Sequence, residues 1–176
     1  EKITEHEILP VKKVIITPNG ETVYDFNQNH AGYPSIKFYA KKGEVLSLSF
    51  AEILDKDGNF YKANYRTAKA LYKYTCKDGF QTYKPNLTFY GFRYVRVNSY
   101  PSEIKPENFT AVVVHSDMKR IGYIESSDQL LNQLFSNIIW RIDVITPQNS
   151  ITTDVYDLLY YSGIYPGAIF NEDKNH

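Results

Sequence analysis

The chain has 176 residues, long enough for one domain whose core needs neither disulfides nor a structural metal. Twenty Lys plus Arg balance twenty Asp plus Glu, which argues against a nucleic-acid binder, and the single Cys76 excludes an internal disulfide and a thiolate-clustered zinc site. His6, His30, His115 and His176 lie far apart without metal-ligand spacing, so neither a metal nor another cofactor is expected. No apolar run approaches the ~20 residues that span a bilayer. No signal peptide opens the chain, and its compartment, extracytoplasmic or cytoplasmic, stays open.

Sixteen Tyr, ten Phe and one Trp tilt the reading toward β-structure, because aromatic rings fit a pleated, half-buried surface. In chain order, β-branched or alternating runs predict strands over Val11–Thr17, Ser35–Ala40, Glu44–Leu54, Leu87–Val97 and Phe109–His115. Turn signals separate them at Pro18-Asn19-Gly20, Lys42-Gly43, Asp57-Gly58-Asn59, Asp78-Gly79 and Tyr100-Pro101-Ser102. Short strands joined by such turns predict a mainly β fold, an antiparallel sandwich of jelly-roll or concanavalin-like type. From Ser127 to Trp140 the period changes: Leu130, Leu131, Leu134, Phe135, Ile138 and Ile139 recur at helical spacing. Ser126, Ser127 or Asp128 can cap that helix. A weaker helix is expected from Asp154 to Tyr161, followed by a frayed polar run over 171–176. The expected organisation is a β-sandwich domain over residues 1–125 and a helical C-terminal segment over 126–176.

Side chains alternate with period two along a strand. That rule puts Glu52 on one face with Leu46, Leu48, Phe50 and Leu54, and Arg93 on one face with Leu87, Phe89, Val95 and Val97. An inward charge is costly unless paired. Glu52 is therefore expected to form a structural ion pair, with Arg93 first and Arg66 second. In the alternative arrangement Glu52, Asn64, Arg66 and Arg93 are the polar contacts of a Tyr-rich carbohydrate-binding face.

Other motifs carry no chemistry. Asp55-Lys56-Asp57-Gly58-Asn59 has its glycine fourth and Arg66 at the twelfth position, so it reads as a hairpin turn rather than an EF-hand loop. Asn86-Leu87-Thr88 and Asn108-Phe109-Thr110 match the glycosylation pattern, which short sequences reach by chance. His30 and His115 read as structural, and Cys76 lacks the surroundings of a nucleophile. No phosphate-binding glycine loop, no nucleophile elbow and no other catalytic motif appears.

A series of stretches, in order, resembles the bacterial α-L-rhamnosidases: Ile3-Thr4-Glu5-His6-Glu7-Ile8-Leu9-Pro10; Asn19 to Phe26 with Gln28-Asn29 and Ala31-Gly32; Ala51-Glu52-Ile53-Leu54-Asp55; Tyr65-Arg66-Thr67-Ala68-Lys69-Ala70; Phe89-Tyr90-Gly91-Phe92-Arg93-Tyr94-Val95; Val113-Val114-His115-Ser116-Asp117-Met118. Ser127-Asp128, Asn132-Gln133-Leu134 and Asn137-Ile138-Ile139-Trp140 resemble the first helix of that family's catalytic (α/α)₆ barrel. Asn27 stands where the family has a glycine, and Tyr90 where it has a histidine. The resemblance covers residues 1 to 148 and implies a concanavalin-like sandwich leading into the start of the barrel. Family enzymes remove L-rhamnose with inversion, which needs an acid and a base about 6.5–9.5 Å apart. The stretch Asp143-Val144-Ile145-Thr146-Pro147-Gln148 resembles a shortened approach to the family's acid-bearing motif, but Asn149-Ser150-Ile151 stands where the Arg-Asp-Glu would follow.

Three functions follow as expectations. One is a non-catalytic sandwich unit of a rhamnosidase, meeting a catalytic barrel or a second copy through the 127–140 helix. Another is a free-standing carbohydrate-binding module for rhamnose-containing glycans. The third, an enzyme, would draw two carboxylates from Asp143, Asp154, Asp157 and Glu172. The first is preferred, with no catalytic residue assigned.

Overall fold

The computed structural model describes residues 2–101, 105–117 and 122–145, the last five of these as backbone only. The expected helix at 154–161 and the polar run at 171–176 lie outside those residues, as do Asp154, Asp157, Glu172 and the side chain of Asp143. The chain divides into two compact units. One, Thr4–Val114, holds nearly all of the sheet, and the other holds the helix.

Eight strands form one curled, largely antiparallel sheet, the mainly β sandwich that the turn spacing predicts. They are β1 (Ile3–Pro10), β2 (Lys13–Ile16), β3 (Thr22–Ala40), β4 (Val45–Ala51), β5 (Leu71–Thr75), β6 (Gly79–Tyr83), β7 (Tyr90–Ser99) and β8 (Phe109–Ser116). The main path runs β1-β8-β3-β7-β4-β5, and β2 and β6 each add to β3. Strand β3 is the axis of the fold. Its first half pairs with β2 and β7, its second half with β8 and β6. Gly20 and Gly79, from the Asn-Gly and Asp-Gly signals, hold φ of 76° and 93°, the left-handed region that such turns require.

The main core gathers Tyr24, Phe26, Ile36, Phe38, Leu46, Leu48, Phe50, Phe92, Val95 and Phe109 between the curled halves. A smaller cluster, Val23, Ala51 and Tyr94, packs with Ile15, Leu54 and Phe60. Alternation explains the split, since Val23 and Tyr24 are adjacent in one strand and face opposite ways. Close approach is needed where β3 lies between β7 and β8. Gly32 pairs with both Tyr90 and Val113, and a Cβ there would fall 2.0 Å from the Val112 carbonyl oxygen.

In the second unit, α1 runs from Gln129 to Ile145. Asp128 caps it, its carboxylate accepting the Leu130 amide at 2.9 Å. The Asn132 carboxamide adds a reciprocal pair with the Ser126 backbone, both bonds 2.8 Å. Leu130 and Leu131 are exposed. No helix among the described residues is long and apolar enough to cross a membrane.

Candidate functional site

The polar cluster of the sandwich is built by one irregularity. Asp25 faces Tyr94 and His30 faces Phe92, so four residues of β3, Phe26 to Asn29, lie opposite the single Arg93 of β7. The excess is a β-bulge, turned by Asn27 at φ 63°. Asp25, the residue just before the bulge, is buried, and Arg93 grips it through a fork: Nε donates to Oδ1 at 2.8 Å and an η-nitrogen to Oδ2 at 2.9 Å. The Asn27 amide donates to the same carboxylate at 2.7 Å. Burial raises the Asp25 carboxyl, but the fork, the Asn27 amide and the Arg93 charge together hold it below the ordinary carboxylate range. The Arg93 guanidinium also lies over the Tyr94 ring, 4.9 Å from its centroid.

Glu52 follows β4 on the core side of the strand, half-buried. Phe50, two residues earlier, stacks on Tyr90 at 4.1 Å, and Gly91 leaves room for the carboxylate. The carboxylate accepts from Asn64 Nδ2 at 3.1 Å and from Asn29 Nδ2 at 3.4 Å. Asn64 is fixed by a short 3₁₀ turn, Ala63–Tyr65. That turn is pinned where the Tyr65 hydroxyl donates to the Gly91 carbonyl at 2.6 Å. Burial, with the Glu52 charge second, raises the Tyr65 phenol, so it stays protonated as a donor.

The structure corrects the expected ion pair. Glu52 is held by two carboxamides, and Arg93 pairs with Asp25. Strict alternation fails opposite the bulge: Phe92 and Val95, three residues apart, both reach the main core, whereas Arg93 turns to Asp25 and lies over Tyr94 of the smaller cluster. Arg66, the second expected partner, is exposed and touches neither carboxylate. Of the four residues singled out for sugar contact, Glu52 and Asn64 meet, while Arg93 is committed to Asp25 and Arg66 is exposed. The sequence reading missed Asp25, Asn27 and Asn29. Polar residues interrupting a strand run, with an Asn able to hold positive φ, are the signal that marks them.

His30 lies fully buried between Phe26 and Phe92, its Nδ1 3.0 Å from the Gln28 carbonyl oxygen. Burial lowers its pKa to about 4, so the ring is neutral at physiological pH. No group of three or more His, Cys, Asp or Glu among the described residues could hold a metal. Chemically, the cluster fixes charges against one another. An ionised, forked Asp25 is a poor proton donor at neutral pH.

Residues 15–115 match the bacterial alpha-L-rhamnosidase concanavalin-like domain. The chain belongs to this family. An alpha-L-rhamnosidase of Formosa agariphila is 37% identical over 138 residues, covering 77% of this chain and 15% of that protein. One from Streptomyces avermitilis is 38% identical over 133 residues, 75% of this chain and 13% of the relative. The crystal structure of the Streptomyces avermitilis alpha-L-rhamnosidase complexed with L-rhamnose superposes with a TM-score of 0.73 at 35% identity, over 81% of this chain and 14% of that one. The alpha-L-rhamnosidase of Dictyoglumus thermophilum gives 0.74 at 32% identity, over 81% and 16%. This rhamnosidase-type sandwich thus spans about one seventh of the length of its curated relatives.

Proposed function

We propose that this chain is a scaffold: the non-catalytic β-sandwich part of an α-L-rhamnosidase, acting beside a catalytic barrel in carbohydrate degradation. The observation that carries the reading is that the match to much longer rhamnosidases falls on their concanavalin-like domain. The polar cluster supports it. Asp25, Arg93 and Glu52 are spent on partners inside the sandwich. The exposed Leu130 and Leu131 of α1 suit a helix that meets a further apolar surface, a barrel or a second copy. The test is proton NMR of an aryl α-L-rhamnoside with the protein at high concentration. No free rhamnose is expected. Anomeric signals of rhamnose would overturn the reading and direct attention to Asp143, Asp154, Asp157 and Glu172.

One observation favours the carbohydrate-binding alternative. Asn64 and Arg66 are both exposed on the loop that covers Glu52. Saturation transfer to the rhamnoside without turnover, abolished by Asn64→Ala and Arg66→Ala, would replace the scaffold by that module.

A further inference from the structure

The chain is electrically balanced as a whole but not along its length. From Gly58 to Lys77 it carries five cations, Lys62, Arg66, Lys69, Lys73 and Lys77, and no Asp or Glu. The ion pairs among the described residues are Lys84–Glu5, Arg93–Asp25 and Arg96–Glu21, so none of the five has an acidic partner there.

Lys62, Arg66 and Lys69 lie on one loop, and Lys73 on the strand that follows it. Lys62 Nζ donates to the Lys69 carbonyl at 2.5 Å, closing a loop with Arg66 near its middle. Arg66 is exposed at φ 55°, a backbone conformation costly for a side chain other than glycine or asparagine. Lys73 follows on β5, the strand that ends the main sheet path. It is exposed between the outward Leu71 and Thr75, while Tyr72 turns into the core. Burial, and then the nearby Arg96, push the Lys62 ammonium below its ordinary value. Glu52, the acid bonded to this loop, is taken up by Asn64 and Asn29.

We infer that the 62–73 segment is a binding site for an acidic polysaccharide, its carboxylate groups meeting Lys62, Arg66, Lys69 and Lys73. Charge complementarity selects an anionic ligand. A chain with no net charge disfavours nucleic acid, whose dense phosphates reward an excess of cations. Membership of a carbohydrate-active family favours a glycan. The inference is independent of the scaffold reading, since it concerns charge and not rhamnose: an aryl rhamnoside tests one and a rhamnose-free polymer the other.

Calorimetric titration of the full chain with polygalacturonate, and with its methyl-esterified form as the uncharged control, tests the site. Binding to the acidic polymer alone is expected. With four charge contacts it should weaken about 500-fold between about 50 and about 500 mM NaCl. The triple variant Arg66→Gln, Lys69→Gln, Lys73→Gln should bind at least about tenfold more weakly with its circular dichroism unchanged, since all three side chains are exposed. No binding at low salt, equal binding of the esterified polymer, undiminished binding by the triple variant, or equal affinity for a single-stranded oligonucleotide would each overturn the inference.

Discussion

Arg93 holds a buried carboxylate by two nearly parallel hydrogen bonds while leaving about a third of its own side chain to solvent. Removing it leaves Asp25 without its hydrogen-bonded counter-ion, with only the weaker charge of Lys13 acting on it. Arg93→Ala should therefore cost about 2 kcal/mol, less than for a fully buried pair because Arg93 is partly solvated. Arg93→Lys should recover only part of the loss, since an ammonium cannot reproduce the fork. Urea unfolding would measure both. His30 predicts the pH response. Its folded pKa of about 4 lies below the ordinary 6.5, so between those values the unfolded chain binds the extra proton. Stability is full above pH 6.5 and is lost as pH falls toward 4, by roughly 2 kcal/mol between pH 7 and pH 5. Asp25 lies on the other side of the window: its lowered pKa makes stability fall only below the ordinary carboxylate value. His30→Phe, which keeps a ring between Phe26 and Phe92, should flatten the slope between pH 7 and pH 5; an unchanged slope would assign it to another group.

Among the elements, β3 is the most constrained. At Gly32 the neighbouring backbone occupies the place a side chain would take, and backbone cannot swing aside. Gly32→Ala should destabilise the fold by about 3 kcal/mol or more, whereas Gly20→Ala, in open space at a turn, should cost about 1 kcal/mol through its positive φ alone. Thermal melts of the two variants would separate the effects. The same strand shows where sequence is readable. The turns at Gly20, Gly43, Gly58 and Gly79 were all legible, because a positive φ leaves a residue signature. Strand β3 was legible only from Ser35, where core and solvent positions alternate. Earlier it is buried on both faces and broken by the bulge, so no period survives. Strand β1 was hidden for the opposite reason: almost all its residues are exposed, which leaves no apolar face to count.

For the whole molecule, sandwich and family were legible because many short signals agreed in order, and the family match now rests on residues 15–115. The pairing of Glu52 was not legible. It depends on a three-residue excess in β3 that a period-two count cannot contain. The helix start was legible to within two residues, Asp128 taking the capping role that Ser126, Ser127 and Asp128 were each suited to fill.

Strand β3 also sets an order of events during synthesis. It is made before β4 to β8, yet its partners are spread from Lys13 to Val113. A nascent chain that has released β2 to β7 still carries Gly32–Ile36 with one edge bare, waiting for Phe109–Val113. An uncovered edge invites pairing with another chain. Ribosome-bound chains halted before residue 109 should therefore be protease-sensitive within β3, and chains halted late enough for residue 116 to clear the exit tunnel should be protected.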